Sequence, residues 1–137
     1  MKHLIKYTYK FRLIPTQEQQ ILLNKHFGSV RYVYNHFLNQ RKEEYLNNKK
    51  SITYNQQANH LTQLKKNEDK KWLNEINAQS LQYSLKCLDT AYQGFFNKRT
   101  QFPKFKSKRN KNSFTVPQAM YIKEDIFIYL NLKMELK

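Results

Sequence analysis

"AQSLQYSLKCLDTAYQGFF", residues 78–96, is the longest periodic stretch of this sequence. Its apolar side chains recur in alternating steps of three and four residues, which places them on one face of an α-helix. The set comprises Ala78, Leu81, Leu85, Leu88, Tyr92 and Phe95. We therefore predict a helix of about twenty residues, roughly 30 Å long, whose apolar face packs in a core.

Shorter helices are predicted before this stretch. Thr16 and Thr53 are each followed, three residues later, by a glutamine, which is the spacing of a capping box, so a helix is expected to begin after each threonine. The first of these helices is expected to end near Gly28, and another to begin after Ser29. Together with the long helix, the pattern predicts four helices in the middle of the chain.

Both ends of the chain have the pattern of strands. Residues 3–14 alternate between an apolar and a cationic face, which predicts a half-buried strand that Pro15 terminates. "SFTV" (113–116) and "MYIKEDIFIYLNL" (120–132) predict two or three further short strands. We expect an α+β protein in which strands from the two ends pair and the helices form an insertion. The cations of the first strand either contact a polyanion or discourage edge aggregation.

The charge of the chain narrows the range of its partners. Lysine and arginine number 25 against 10 acidic residues, which gives a net charge of +15. This excess destabilises the compact state by self-repulsion unless a polyanion relieves it, so nucleic acid or an anionic membrane surface is the expected partner. The single cysteine, Cys87, allows no internal disulfide, and we find neither a signal peptide nor a membrane span. We expect a cytoplasmic, nucleoid-associated protein with no membrane partner.

The basic segment "FPKFKSKRN", residues 102–110, contains no acidic residue. Its cations are expected to contact phosphates and release counterions. The neighbouring phenylalanines can stack on unpaired bases or anchor an otherwise solvated loop to the core, and we expect both, with Phe105 as an anchor while the lysines face a nucleic-acid backbone. With its flanks, the segment comprises the cations Lys98, Arg99, Lys104, Lys106, Lys108, Arg109 and Lys111, and the aromatic residues Phe102, Phe105 and Phe114.

Polar residues on two of the predicted helices are candidates for reading base edges or sugars. Glutamine can pair bidentately with adenine, although a glutamine on a helix is usually just solvated. The candidates are Tyr54, Asn55, Gln56 and Gln57 on one helix and Asn77, Gln79, Gln82 and Lys86 at and along the long helix.

The sequence shows no active site. Most of its acidic residues lie in predicted turns or on exposed helix faces, its four histidines are scattered, and it has no glycine-rich phosphate loop. We therefore expect no cofactor and no metal. A small metal-dependent nuclease whose site escapes this reasoning is the alternative.

Three blocks of the sequence resemble a known family. "YKFRLIPTQEQQILLNKHFGSVRYVYNHFL" (9–38), "WLNEINAQSLQYSLKCLDTAYQGFFNKR" (72–99) and "FPKFKSKRNKNSF" (102–114) resemble, in order and spacing, the N-terminal portion of the TnpB/OrfB proteins of bacterial insertion sequences. That portion is often described as a helix-turn-helix transposase domain. The resemblance implies a partial wedge-type β-barrel with a helical recognition insertion. It divides the chain into the first wedge strand at 1–14, the insertion at 15–98, and the basic loop with the remaining wedge strands at 99–137.

The resemblance also implies a function. TnpB proteins are RNA-guided DNA nucleases, related to the type V CRISPR effectors, whose N-terminal part holds guide RNA and reads a short duplex motif beside the target. Tyr54 and Gln82 would lie near that motif, and Ala78 would occupy a position where some relatives carry a basic residue, so the resemblance does not fix the motif preference. The family's nuclease carboxylates and zinc ribbon lie further along the chain than this sequence extends.

We therefore expect a non-catalytic module of DNA transposition that binds structured guide RNA, target-adjacent DNA or both. A degraded, inactive transposase fragment is a second alternative, and a separate nuclease chain is an open question. The expected nucleic-acid-binding residues are Lys10, Arg12, Tyr54, Gln56, Gln82, Lys86, Lys98, Arg99, Lys104, Lys106, Lys108, Arg109, Lys111 and Phe114.

Overall fold

The computed structural model describes residues 4–117, 120–123, 126–129 and 132–136. The chain divides into two compact units. One, the sheet unit, comprises Met1–Ile21 together with Ala119–Lys137, and the other, the helical unit, comprises Leu22–Gln118.

Helices make up most of the described structure. They are α1 (Gln17–Asn48), α2 (Tyr54–Lys66), a 3-10 helix (Glu68–Glu75) and α3 (Ala78–Phe96). Residues 97–117 follow without regular secondary structure.

Both predicted capping boxes are confirmed. At the start of α1, the Thr16 backbone N–H donates to Gln19 Oε1 at 2.9 Å, and the Gln19 N–H donates to Thr16 Oγ1 at 3.3 Å. Thr53 and Gln56 make the same reciprocal pair at the start of α2, with distances of 2.9 and 3.3 Å. Each pair satisfies two backbone N–H groups that the first turn of a helix leaves without partners.

The predicted break at Gly28 is wrong, because α1 runs through it without interruption. A helical glycine costs about 1 kcal/mol relative to alanine, which is less than the packing of the helix face on both sides of it contributes. Val30, Val33 and Phe37 on this face are all buried. Gly28 also has no positive φ, so the left-handed turn that commonly ends a helix does not form here.

Gly28→Ala is expected to raise the free energy of unfolding by about 0.5–1 kcal/mol. The added methyl group would lie 3.8 Å from Arg31 Nη2, an ordinary contact. Urea denaturation measures the change. Gly94→Ala is the matched control, because its methyl group would lie only 2.9 Å from Thr100 Oγ1 and should give no gain. Equal stabilisation by both substitutions would contradict this account.

The core of the helical unit is formed by α1, α2, α3 and the 3-10 helix. The predicted inner face of α3 is confirmed at Leu81, Leu85, Leu88 and Tyr92, whereas Ala78 and Phe95, at its two ends, are exposed. The side chains that are at most 2% exposed and apolar are Val33, Phe37, Leu38, Leu61, Leu73, Leu81, Leu85 and Leu88.

A polar network crosses this core. Arg41, which is 8% exposed, donates from Nε to Gln57 Oε1 at 2.8 Å and from Nη2 to Asp89 Oδ1 at 2.9 Å. Gln57 Nε2 donates in turn to the Phe37 carbonyl at 3.0 Å. Gln57 is fully buried, so its predicted role in reading bases is wrong. The core needs its amide to satisfy a buried guanidinium and a backbone carbonyl.

Among its described residues, the sheet unit contains four short antiparallel strands, in the order β1-β4-β3-β2. They are β1 (Leu13–Ile14), β2 (Met120–Lys123), β3 (Ile126–Tyr129) and β4 (Leu132–Leu136). Leu13 pairs with Leu136 and Ile14 with Glu135, so strands from the two ends of the chain pair as predicted. The described strands form an open sheet with β1 and β2 at its edges. They therefore support the α+β order but not the barrel.

The predicted strand over residues 3–14 is wrong, within the described residues, except at its last two positions. Residues 4–12 have no regular secondary structure, and Tyr7 and Tyr9 are 72% and 74% exposed rather than half-buried. A strand requires a ladder partner, and β1 pairs with β4 only at two positions. The predicted strand at 113–116 is also irregular. Of the helices that the structure describes, none is long and apolar enough to cross a membrane.

Candidate nucleic-acid interface

The basic strip, as we call it, consists of the seven cations on residues 98–111, all of which are exposed. They are Lys98, Arg99, Lys104, Lys106, Lys108, Arg109 and Lys111. In the part of the chain that the structure describes, none of the seven forms a salt bridge with an acidic residue. Their charges are therefore available to an anionic partner.

A single side chain of α1 fixes the middle of the strip. Asn35 Oδ1 accepts from the Lys106 backbone N–H and Asn35 Nδ2 donates to the Lys106 carbonyl, both at 2.8 Å. The amide thus pairs with both backbone polar groups of Lys106, as a neighbouring strand would. The Lys106 ammonium lies 4.3 Å from the centre of the Tyr34 ring, a cation–π contact.

A turn over residues 107–110, closed by the Asn110 side chain, then presents two cations of the strip. Asn110 Oδ1 accepts from the Ser107 backbone N–H at 2.8 Å and from Ser107 Oγ at 3.1 Å. The Asn110 N–H donates back to the Ser107 carbonyl at 3.1 Å. Lys108 and Arg109 lie between these residues, so both point away from a closed four-residue turn.

Aromatic contacts anchor the segment at both ends. The Phe102 ring lies edge-on to Tyr92, with centroids 5.5 Å apart. Phe114 is half-buried, 5.3 Å from the Phe27 ring and 4.9 Å from the His26 ring. Of the two roles that the sequence left open for Phe114, these contacts favour anchoring over base stacking. Phe105, the residue expected to anchor the loop, is instead exposed, with the Lys42 ammonium 4.9 Å from its ring centre.

Lys98 is in an unusual backbone conformation. Its φ is 59°, and its N–H donates to the Phe95 carbonyl at 3.0 Å, while the Arg99 N–H donates to the Gly94 carbonyl at 2.8 Å. These are the two hydrogen bonds of a Schellman motif, which usually has glycine at the position that Lys98 occupies. A lysine here carries a backbone cost that glycine would not.

Lys98→Gly is expected to raise the free energy of unfolding by about 1 kcal/mol, because it relieves that cost. If Lys98 meets one phosphate, the same substitution is expected to weaken nucleic-acid binding about fivefold at physiological salt. Urea denaturation and fluorescence anisotropy measure the two effects. Arg99→Gly is the control. It also removes one positive charge, but the φ of Arg99 is not positive, so this substitution should weaken binding without stabilising the fold.

The other predicted site residues are placed in different ways. Gln82 and Lys86 are exposed one helical turn apart on α3, and Tyr54 is half-buried at the start of α2. Gln56 Oε1 is already occupied by the capping box. Asn77 caps α3, accepting from the Ser80 N–H at 3.0 Å.

The predicted cations of the sheet unit lie outside its strands. Lys10 and Arg12 are exposed in the irregular segment that precedes β1.

Two cations next to the strip were missed in the sequence. Arg31 Nη1 donates to Asn112 Oδ1 at 3.3 Å, and the Lys42 ammonium lies 5.8 Å from the Phe102 ring centre. Together with Asn35, they occupy positions 31, 35 and 42 of α1, a spacing of four and seven residues that shares one helix face. The spacing of these three residues, read with the period of an α-helix, could have identified this polar face of α1 next to its apolar face.

Cys87 lines a small polar cavity of about 80 Å³ beside Lys106. Burial raises the pKa of the Cys87 thiol, and nearby Lys106 opposes this with a smaller effect. The thiol is therefore protonated at neutral pH and a poor nucleophile. Within the described residues, no group of three histidine, cysteine or acidic side chains could hold a metal ion.

Comparison with known proteins shows the family to which the chain belongs. A family model described as a helix-turn-helix domain, that of the OrfB proteins, matches residues 1–50. A Salmonella dublin protein named virulence protein VsdF is 33% identical over 111 residues, which cover 74% of this chain and 93% of that protein. The chain belongs to the TnpB/OrfB family.

Two longer members of the TnpB/OrfB family match most of this chain. A Streptomyces pristinaespiralis protein, named as a candidate RNA-guided DNA endonuclease, is 35% identical over 82% of this chain. InsQ of Escherichia coli K12, also named as a candidate RNA-guided DNA endonuclease, is 33% identical over 85%. The matches cover 28% and 29% of those two proteins, so the chain spans less than a third of their length. It corresponds to the N-terminal portion of TnpB/OrfB proteins.

The TnpB/OrfB match and the structure differ in one respect. The description of the family model implies two helices joined by a turn, whereas residues 17–48 of the matched segment form one continuous helix. A helix-turn-helix places the start of its second helix in the major groove, and this geometry requires the turn. The basic strip, which lies outside the matched segment, is therefore a better candidate for the contact surface than α1.

Proposed function

We propose that this N-terminal portion of a TnpB/OrfB protein is a nucleic-acid-binding module of DNA transposition. It holds guide RNA, target-adjacent DNA or both, and it acts in the cytoplasm at the nucleoid. Its role is to bind and position nucleic acid rather than to cleave it. The four-stranded sheet, on this proposal, is part of the wedge-type barrel that the family resemblance implies.

One observation carries the proposal: seven exposed cations lie on one segment whose backbone is fixed. The Asn35 amide and the rings of Phe102 and Phe114 hold that segment against the helices, and the turn at 107–110 fixes its outer end. A segment with a fixed backbone loses little backbone freedom on binding, so more of the attraction of its cations to phosphate is retained as affinity.

This chemistry binds a phosphate backbone without reading sequence. Lysine and arginine that neutralise phosphates release condensed counterions, which gives strong and salt-sensitive binding. Sequence choice then comes from elsewhere, and the names of the two longer relatives point to pairing with a guide RNA. On this proposal Tyr54, Gln82 and Lys86 contact the duplex beside the target, while Lys10 and Arg12 contact backbone.

A salt titration tests the proposal. Fluorescence anisotropy of the protein with duplex DNA and with structured RNA is expected to show affinity that falls linearly with salt on a log–log plot, at about 0.9 per phosphate contacted on duplex DNA. Affinity that is absent at low salt would contradict the proposal. The same samples with Mg²⁺ or Mn²⁺ report on cleavage, and turnover would favour a nuclease instead.

A further inference from the structure

A large groove of the helical unit is lined in part by aromatic rings. It has a volume of about 760 Å³ and lies between the end of α1, the start of α2 and the end of α3. Its aromatic residues are Tyr45, Tyr54, Tyr92, Phe95, Phe96 and Phe102. Phe102 belongs to the same segment as the basic strip, so the groove and the strip are continuous.

The rings of this groove are exposed well beyond what the core requires. Phe96 and Tyr45 are 60% and 58% exposed, whereas Tyr92, which closes the core, is 5% exposed. Phe95 and Phe102 are also more than a third exposed, at 36% and 39%. A contiguous exposed apolar surface of this kind marks a binding site.

Cations accompany the rings. The Lys49 ammonium lies 5.0 Å from the Tyr45 ring centre, the Lys42 ammonium lies 5.8 Å from that of Phe102, and Lys50 lines the groove. Asp89, the acidic residue among the lining side chains, is neutralised by Arg41. The groove therefore carries a net positive charge.

Lys49 also has a left-handed backbone, with a φ of 54° at the end of α1. Glycine would adopt this conformation at no cost. A lysine whose conformation is costly and whose ammonium lies against a groove ring suggests that the charge is used there.

We propose that this groove stacks the unpaired bases of single-stranded nucleic acid. Exposed ring faces can stack on any of the four bases, because every base has a flat π-face. The neighbouring lysines contact the phosphates of the same strand. A duplex is a poorer occupant because its bases already stack on each other. A protein segment would need apolar area but not the cations at the ring faces. The inference rests on the proposed function and adds the kind of nucleic acid and the site that takes it.

The test uses two ring-to-leucine substitutions together, Tyr45→Leu and Phe96→Leu, which keep apolar area but remove the ring faces. Anisotropy titrations compare a short single-stranded oligonucleotide with an abasic one of the same length. The parent is expected to bind the base-bearing strand about tenfold or more tightly than the abasic strand. The double variant is expected to lose that preference while binding the abasic strand as the parent does. Trp72→Leu, which removes an exposed ring outside the groove, should leave the preference intact.

The other outcomes are distinct. If the parent binds both strands equally, or if the double variant keeps the preference, the groove does not stack bases, although the strip still binds phosphates. If the parent binds neither strand at low salt, the proposed function fails together with this inference. If sedimentation shows a dimer that the double variant makes monomeric, the groove is an interface between copies and the inference is wrong.

Discussion

The triple variant Lys104→Ala/Lys106→Ala/Arg109→Ala is expected to bind duplex DNA about 100-fold more weakly than the parent at physiological salt. If each of these cations meets one phosphate, the slope of log affinity against log salt falls by about 2.7. The Asn35 hydrogen bonds go to the backbone of Lys106, so alanine at position 106 keeps the segment in place. Anisotropy over a salt series measures the affinity and the slope together.

A control of equal charge separates the strip from net charge. Lys25→Ala/Lys65→Ala/Lys66→Ala also removes three cations, none of which belongs to the basic strip. This control should lose only a few-fold in affinity. Salt screens the attraction between an exposed charge and a phosphate that lies more than about 10 Å from it. If the control loses as much as the strip variant, affinity follows net charge and the strip is a solvated loop.

Asp89→Ala is expected to lower the free energy of unfolding by about 3 kcal/mol. The substitution leaves the Arg41 guanidinium, which is 8% exposed, without its carboxylate partner at 2.9 Å. The cost of an unpaired buried charge exceeds the net contribution of the pair. Asp89→Asn keeps an acceptor for the same hydrogen bond, so an intermediate loss is expected. Urea denaturation of the three proteins measures the order.

An exposed ion pair supplies the comparison. Lys25 and Glu75 are 3.7 Å apart, and the side chain of each is more than half exposed. Glu75→Ala is therefore expected to change the free energy of unfolding by less than about 1 kcal/mol. Equal losses from Asp89→Ala and Glu75→Ala would show that burial of Arg41 does not govern the cost.

The helices that the sequence predicted best are those whose signals are local. The capping boxes at Thr16 and Thr53 depend on residues three positions apart, and the structure contains both. The apolar face of α3 repeats along the whole helix, and its period predicted the burial of Leu81, Leu85, Leu88 and Tyr92 in the middle of that face. Where local hydrogen bonds and a sustained apolar period both favour a helix, contacts with distant residues rarely change the secondary structure.

The features that the sequence did not predict depend on distant residues. Gly28 carries a helix-ending signal, but a buried face on either side of it keeps α1 continuous. Gln57 was indistinguishable from a solvated glutamine until Arg41, 16 positions earlier, was found beside it. Residues 4–12 alternate like a strand, yet alternation cannot supply a partner strand. The positions of the basic strip depend on Asn35, 71 residues before Lys106, and no local pattern reveals that pairing.

The Asn35 amide has a consequence for how this region can vary in length among family members. Phe102 and Lys106 are both attached to the helical unit and are only four residues apart, a span of at most about 14 Å of extended chain. A deletion or an insertion between them would place a residue other than the present one opposite the Asn35 amide while Phe102 stays against Tyr92. Length changes are expected instead after Ser107, where the turn at 107–110 can grow outward before Phe114 returns the chain to α1.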